Sequence, residues 1–286
     1  MRRHATRALL VSAAVAAGLA ACSGPGEPPP DDSLPSLPPV DLAAPFPDET
    51  TTGVPPGTSL QPSGDLDIER SGTVIEGLDI DGCVDVRAND VTIRASRITC
   101  ARPTTAVRLF DGYGGLTLED VEIDGSGVVS TAVGFSHYKL LRANIHHVID
   151  GPRVGTATVV QDSYVHDLVR TDGSHNDALQ VTGGSNIVVR HNTLDAYDEA
   201  SGDYFNAAIQ VGSSKAPVED LLIEGNYLNG GNYTVNFRPD LAASGIVGRG
   251  NTFGPNHRYG PLARGDLPGV EWTGSPGPTG AAHDQG

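Results

Sequence analysis

Six of the nine histidines fall between His137 and His191: His137, His146, His147, His166, His175 and His191. His175 stands out, because the polar loop Arg170-Thr-Asp-Gly-Ser-His-Asn-Asp177 delivers it just ahead of an apolar alternation that carries Gln180. An imidazole at such a place titrates near neutrality and can act as a general base or acid. Arg153 supplies a fixed cation, of the kind that neutralises a substrate carboxylate. Asp150 and Asp177 each stand three residues before an outward position, Arg153 and Gln180. Stacked one strand step apart, their carboxylates suit a retaining glycosidase at ~5 Å, a Ca²⁺ site with backbone carbonyls, or two local Asx turns. Gln180, Gln210 and Asn236, flanked by Tyr204, Asn206 and Arg238, form an amide and aromatic set fitted to sugar hydroxyls and ring faces. The same residues also fit a polar turn and a solvent-facing amide ladder. His166 and His191, on consecutive repeats, are the one pair that suggests a metal.

These positions follow from a repeated pattern. A six-residue cadence, apolar-x-x-small-x-apolar, returns from residue 75 to residue 253, as in Ile75 to Ile80, Ile93 to Ile98, Leu140 to Ile145 and Val189 to Leu194. Its starts are separated by 18 residues (Ile75 to Ile93) up to 34 (Val189 to Ile223). A period in this range that tolerates insertions marks a solenoid. The units are rich in Val, Ile, Leu and Thr and bounded by Gly, Asn and Asp, so they read as short strands joined by turns. The small position becomes Asn192, Asn226 and Asn251, and asparagine tolerates a left-handed turn. Stacked, these side chains can bond to one another inside the coil. The expectation is an all-β, right-handed parallel β-helix of about eight rungs, stacked ~4.8 Å apart.

A second strand follows each cadence, for example Thr105 to Leu109, Asp177 to Val181, Ala207 to Val211 and Tyr233 to Phe237. Strand alternation sends Val107, Val133, Leu179, Ile209 and Val235 inward. Arg108, Gly134, Arg153, Gln180, Gln210 and Asn236 then form an outward row, with the insertion between Asp195 and Pro217 projecting as a wall beside it.

The ends have a different character. Arg2, Arg3 and Arg7 precede the apolar run Ala8 to Ala17 and the sequence Leu19-Ala20-Ala21-Cys22, which reads as a lipoprotein signal over residues 1–21 with lipid carried on Cys22. Twelve of the 21 prolines lie between Pro25 and Pro62, so residues 22–62 read as a disordered tether. Residues 63–265 are expected to form the β-helix and 266–286 a disordered tail. With Cys22 lipidated, Cys83 and Cys100 remain to pair in an oxidising compartment outside the cytoplasm. The net charge of −16 disfavours nucleic acid, and a polyuronate would need a local basic cluster or bridging Ca²⁺.

The stretches Gly53 to Leu60, Gly72 to Ile80 and Asn89 to Ile98 resemble the opening of secreted bacterial parallel β-helix proteins of the pectate-lyase-like superfold, lipoproteins among them. The resemblance runs from about Gly53 to Leu262. It implies a groove on the coil and a polysaccharide or cell-wall glycan as partner. It carries over no residue roles, since Asp172-Gly-Ser-His175-Asn-Asp177 only loosely echoes a uronan-epimerase Asp-Pro-His motif. In lyases acting on uronic acids, an Arg or Lys neutralises the carboxylate while a base removes the C5 proton. Arg153 and His175 suit those parts. The expected activity is thus a polysaccharide lyase or epimerase in a monomeric chain held at the outer face of a membrane. The alternatives are a glycosidase using Asp150 and Asp177, or a non-catalytic glycan binder.

Overall fold

The computed structural model describes residues 29–274, so the signal segment and Cys22 lie outside the described residues. The chain is an all-β parallel β-helix, with no helix among the described residues. Three parallel sheets of 12, 10 and 5 strands form its sides. One turn of the coil runs from Asp177–Val181 in the five-stranded sheet through Gly184–Arg190 in the ten-stranded sheet to Thr193–Ala196 in the twelve-stranded sheet; the next turn begins at Ala207.

The cadence sets this register. Its first apolar residues stack directly, Ile75 on Ile93, Leu118, Leu140, Val160, Val189, Ile223 and Gly248. Its second set does likewise from Ile80 through Ile98, Ile123, Ile145, Val165, Leu194 and Leu228 to Phe253. A one-residue slip would turn both apolar rows out to water, which is why insertions elsewhere leave the phase intact.

Between the two rows the chain turns from one sheet to the next. The left-handed residue at this corner is the one before the small position: Gly77, Ala95, Asp120, Arg142, Asp162, His191, Gly225 and Gly250 have φ between 46° and 69°. Asparagine therefore does not supply the left-handed conformation. Instead Asn192 and Asn226, both fully buried, point inward. The Asn192 amide donates to Asn226 Oδ1 at 2.9 Å, and the Asn226 amide donates to Asn251 Oδ1 at the same distance. The pattern extends one rung back, where the Ser163 N–H donates to Asn192 Oδ1 at 2.9 Å.

The proline-rich segment departs from the expected free tether, because residues from 29 onward lie against the coil. Asn186 Nδ2 donates to the Asp32 carbonyl at 2.9 Å and Gln161 Nε2 to the Pro39 carbonyl at 3.3 Å, while Arg190 donates to the Pro38 carbonyl. Phe46 packs over His191 and Tyr227. Prolines donate nothing, but an extended segment leaves its carbonyls free to accept from side chains on the sheet. Gln61–Ser63 then opens the twelve-stranded sheet.

At the other end, Val270–Thr273 pairs with Ile246–Arg249, so the coil continues past residue 265 into the expected tail. Trp272 stacks over Gly248, where a Cβ would lie 2.1 Å from the indole. The ring fills the place the missing side chain leaves and packs against Phe237 and Phe253. Cys83 and Cys100 are joined in a disulfide, with Cα atoms 4.9 Å apart, in the first turns of the coil.

On the twelve-stranded sheet, Asp195 accepts from its register partner Asn229 at 2.9 Å. Burial, only partly offset by that bond, pushes its carboxyl up to about 6 from 3.8. A folded-state pKa above the unfolded one means stability that is full below about pH 4 and lost as pH rises to about 6. The loss amounts to about 3 kcal/mol. Asp195→Asn keeps the Oδ1 acceptor and removes the charge. Denaturant melts should therefore show the variant about 2–3 kcal/mol more stable than wild type near pH 7 and nearly equal near pH 4.

Candidate functional site

The five-stranded sheet presents the outward row. Arg153, Gln180, Gln210 and Asn236 are successive register partners, one per rung, while Leu179, Ile209 and Val235 between them are fully buried. Asn236 Nδ2 donates to Gln210 Oε1 at 2.6 Å, and Gln180 Nε2 donates to Asp177 Oδ2 at 3.1 Å. The amides are thus held in place by one another and by the carboxylate beneath them.

Arg153 is anchored by Asp150, with Nη2 to Oδ2 at 3.1 Å. Its Nε is buried and lacks a partner among the described residues. Asp150 is itself 6% exposed and accepts the Asp177 N–H at 3.1 Å. Burial raises its pKa despite those contacts. Asp177 is fully buried and accepts Asn206 Nδ2 at 2.6 Å. Burial first, and then the neighbouring Asp150 charge, hold its carboxyl well above the usual carboxylate range. Burial and the Asp150 charge thus favour the neutral form of Asp177, while Arg153 favours the charged form of Asp150.

The loop carrying His175 is fixed at both sides. Arg170 pairs with Asp203 and donates to the Ser174 carbonyl at 3.1 Å. Asn176 is buried and donates to the Ile149 and Val169 carbonyls, both at 2.8 Å, so it ties the loop to neighbouring backbone instead of making a local turn. His175 is left exposed between these anchors.

His175, Asp150, Arg153, Gln180, Gln210, Asn236 and Arg238 line one cleft of about 600 Å³. A second lobe of about 670 Å³ shares Arg153, Gln180, Gln210 and Arg238 and adds Phe135, Ser136 and Lys215. No protein-family model and no curated protein matches the sequence. The cleft must therefore be read from its own chemistry. Three cations, Arg153, Arg238 and Lys215, line the two lobes of a chain whose net charge is −16. Arg238 pairs with Asp240 at 3.0 Å, while Lys215 makes no ion pair among the described residues.

Several expected residues lie elsewhere. Asp177 is beneath the row and shut off from solvent, because Asn206 and Gln180 satisfy it from above. Asn206 turns down to it, and Tyr204 packs against Tyr197, so neither lines the cleft. The histidines divide among three faces. His137 meets Asp32, His191 meets Asp162 at a corner, and His166 bonds Asn144 and Asp167 on the twelve-stranded sheet. His166 and His191 therefore do not meet as a metal pair. Lys215 and Phe135 went unsuspected in the sequence. Lys215 does belong to the insertion expected to wall the groove, whereas alternation past Val133 and Gly134 turns Phe135 inward, and it is instead 37% exposed.

Proposed function

We propose that the outer face of the five-stranded sheet binds an acidic carbohydrate polymer and cleaves or epimerises it at a uronate residue, in the manner of the pectate-lyase-like proteins that the sequence resembles. The observation that carries this reading is the convergence of Arg153, His175 and the amides Gln180, Gln210 and Asn236 on one cleft. Arg153 and Arg238 are offset by Asp150 and Asp240, which leaves Lys215 as the cation of the cleft unpaired among the described residues, to draw a polyanion inward. The amides repeat once per rung at ~4.8 Å, which suits a ligand that itself repeats.

Arg153, whose Nε faces no protein partner, neutralises the uronate carboxylate. That stabilises the carbanion-like charge left when a base removes the C5 proton. His175 is that base. In elimination, the electron pair forms the C4–C5 double bond, the glycosidic C4–O bond breaks, and the leaving oxygen takes a proton. In epimerisation, His175 keeps the proton it removed and water supplies a proton to the opposite face of C5 instead. Gln180, Gln210 and Asn236 hold neighbouring hydroxyls. Asp150 keeps Arg153 in place. With Asp177 closed to solvent, the paired-carboxylate hydrolase is the weaker alternative. A lipid on Cys22 would place this chemistry at the outer face of a membrane.

The test is incubation of the purified chain with a panel of uronans, with and without Ca²⁺, following ultraviolet absorbance of unsaturated product and C5 proton exchange by NMR. Elimination gives the first signal and epimerisation the second. If every polymer gives neither, the enzyme reading fails; polymer retention on an affinity gel would then leave a non-catalytic binder.

A further inference from the structure

The twelve-stranded sheet carries a side-chain cluster that the cleft does not use. Asp124 and His146 are register partners on its outer surface. The next residue, His147, would face the core in a regular strand. Its φ of 52° is left-handed and reverses that alternation. Both imidazoles consequently point the same way, with their Nδ1 atoms 2.9 Å apart. The pairing register also shifts between Asp124 and Val129, where Ser126 and Gly127 have φ of 50° and 75°. A bulge of this kind re-aims side chains and recurs beside functional sites.

Asp124 Oδ1 lies 3.2 Å from His147 Nδ1 and 4.0 Å from His146 Nδ1. One ligand atom from each of the three residues thus falls within 4.8 Å of the others. The far side of His146 is also organised. Its Nε2 is 3.5 Å from Glu122 Oε1, and Glu122 is held by Arg97 Nε at 3.0 Å. A carboxylate on one ring nitrogen keeps the proton there and leaves the lone pair on the other. For His146 that free lone pair is on Nδ1, the atom facing His147. The His147 edge and the tilted ring of His166 pack against His146 and fix its plane.

We propose that Asp124, His146 and His147 form a binding site for a divalent transition-metal ion of the Zn²⁺ and Ni²⁺ class, with Glu122 as the outer carboxylate that orients His146. Two nitrogens at the observed separation subtend about 90° at a metal ~2.05 Å from each. The 4.0 Å between Asp124 Oδ1 and His146 Nδ1 opens the third angle to about 150°, so the three donors form a meridional set that leaves further positions to water or a ligand. Imidazole donors select borderline metals, whereas Ca²⁺ requires a shell of oxygens. The site stands apart from the five-stranded face and does not depend on the activity proposed there.

The test is isothermal titration of tag-free, chelator-treated protein with Ni²⁺ and with Zn²⁺, supported by the visible spectrum of Co²⁺. One saturable equivalent is expected for the wild type. His147→Asn suits the left-handed backbone but removes the imidazole, and it and Asp124→Asn should each weaken binding about 100-fold. Glu122→Gln should weaken it about 10-fold. His175→Asn, in the cleft, should leave affinity unchanged. Thermal melts of the metal-free variants establish that they are folded. Absence of saturable binding in the wild type, equal affinity in folded His147→Asn and Asp124→Asn, or loss of binding in His175→Asn would each overturn the proposal.

Discussion

Replacing His175 by alanine is expected to lower turnover on a responsive uronan by about 10²–10⁴-fold, the range for loss of a general base, with little change in KM or in the melting temperature. The side chain is exposed and makes no hydrogen bond among the described residues, so its loss leaves no buried group unsatisfied. The loop around it is held by Arg170 and Asn176, not by the imidazole. Arg153→Ala should behave differently. It removes the cation from Asp150, which is 6% exposed, and so should destabilise the fold as well as raise KM and lower kcat. Arg153→Lys keeps the charge but not the planar fork, and should recover stability more fully than activity. Steady-state kinetics with parallel melts separate these effects. A His175→Ala enzyme with unchanged kcat would remove His175 from the chemistry.

How much of this was legible in the sequence follows from what each residue depends on. The cadence fixed both inner apolar rows because every rung repeats the same burial requirement, and strand alternation then placed Arg153, Gln180, Gln210 and Asn236 in one outward line. Both are local rules with period two. The corner was only half legible. Arg142 carries no turn signature, and its left-handed backbone is imposed by the stacked corners above and below. Asp177 misled because parity at a strand start is weak and because Asn206, which closes over it, comes from the next turn of the coil. The histidine-rich stretch suggested one site, but a coil distributes consecutive residues around its circumference. The fixed position of residues 29–47 was hidden for a related reason: proline composition reads as disorder, while the side chains that donate to its carbonyls, such as Asn186 and Arg190, lie over a hundred residues away.

The interior asparagine ladder should be the most sensitive structural element. Asn226→Leu keeps the number and branching of side-chain heavy atoms, and leucine suits the apolar surroundings, so a purely hydrophobic account predicts little change. The hydrogen bonds predict the opposite. Asn226 Oδ1 accepts both the Asn192 backbone N–H and the Asn192 side-chain amide, each at 2.9 Å, and its own amide donates to the Val189 carbonyl at 3.0 Å and to Asn251. All of this lies in a region closed to water, where Asn192 and Asn226 are fully buried. Leucine would strand the Asn192 N–H and leave the Asn251 oxygen short of a donor. At about 1–3 kcal/mol per stranded group, the expected loss is about 4 kcal/mol. Replacing Asn251, at the partly exposed end of the ladder, should cost less, because water can reach the freed groups. Denaturant unfolding of the two variants measures the difference. Equal small losses would mean that the stacked apolar rows alone hold the rungs. A large loss confined to Asn226→Leu would show that the ladder contributes to stability through bonds that only the interior of the coil makes costly to break.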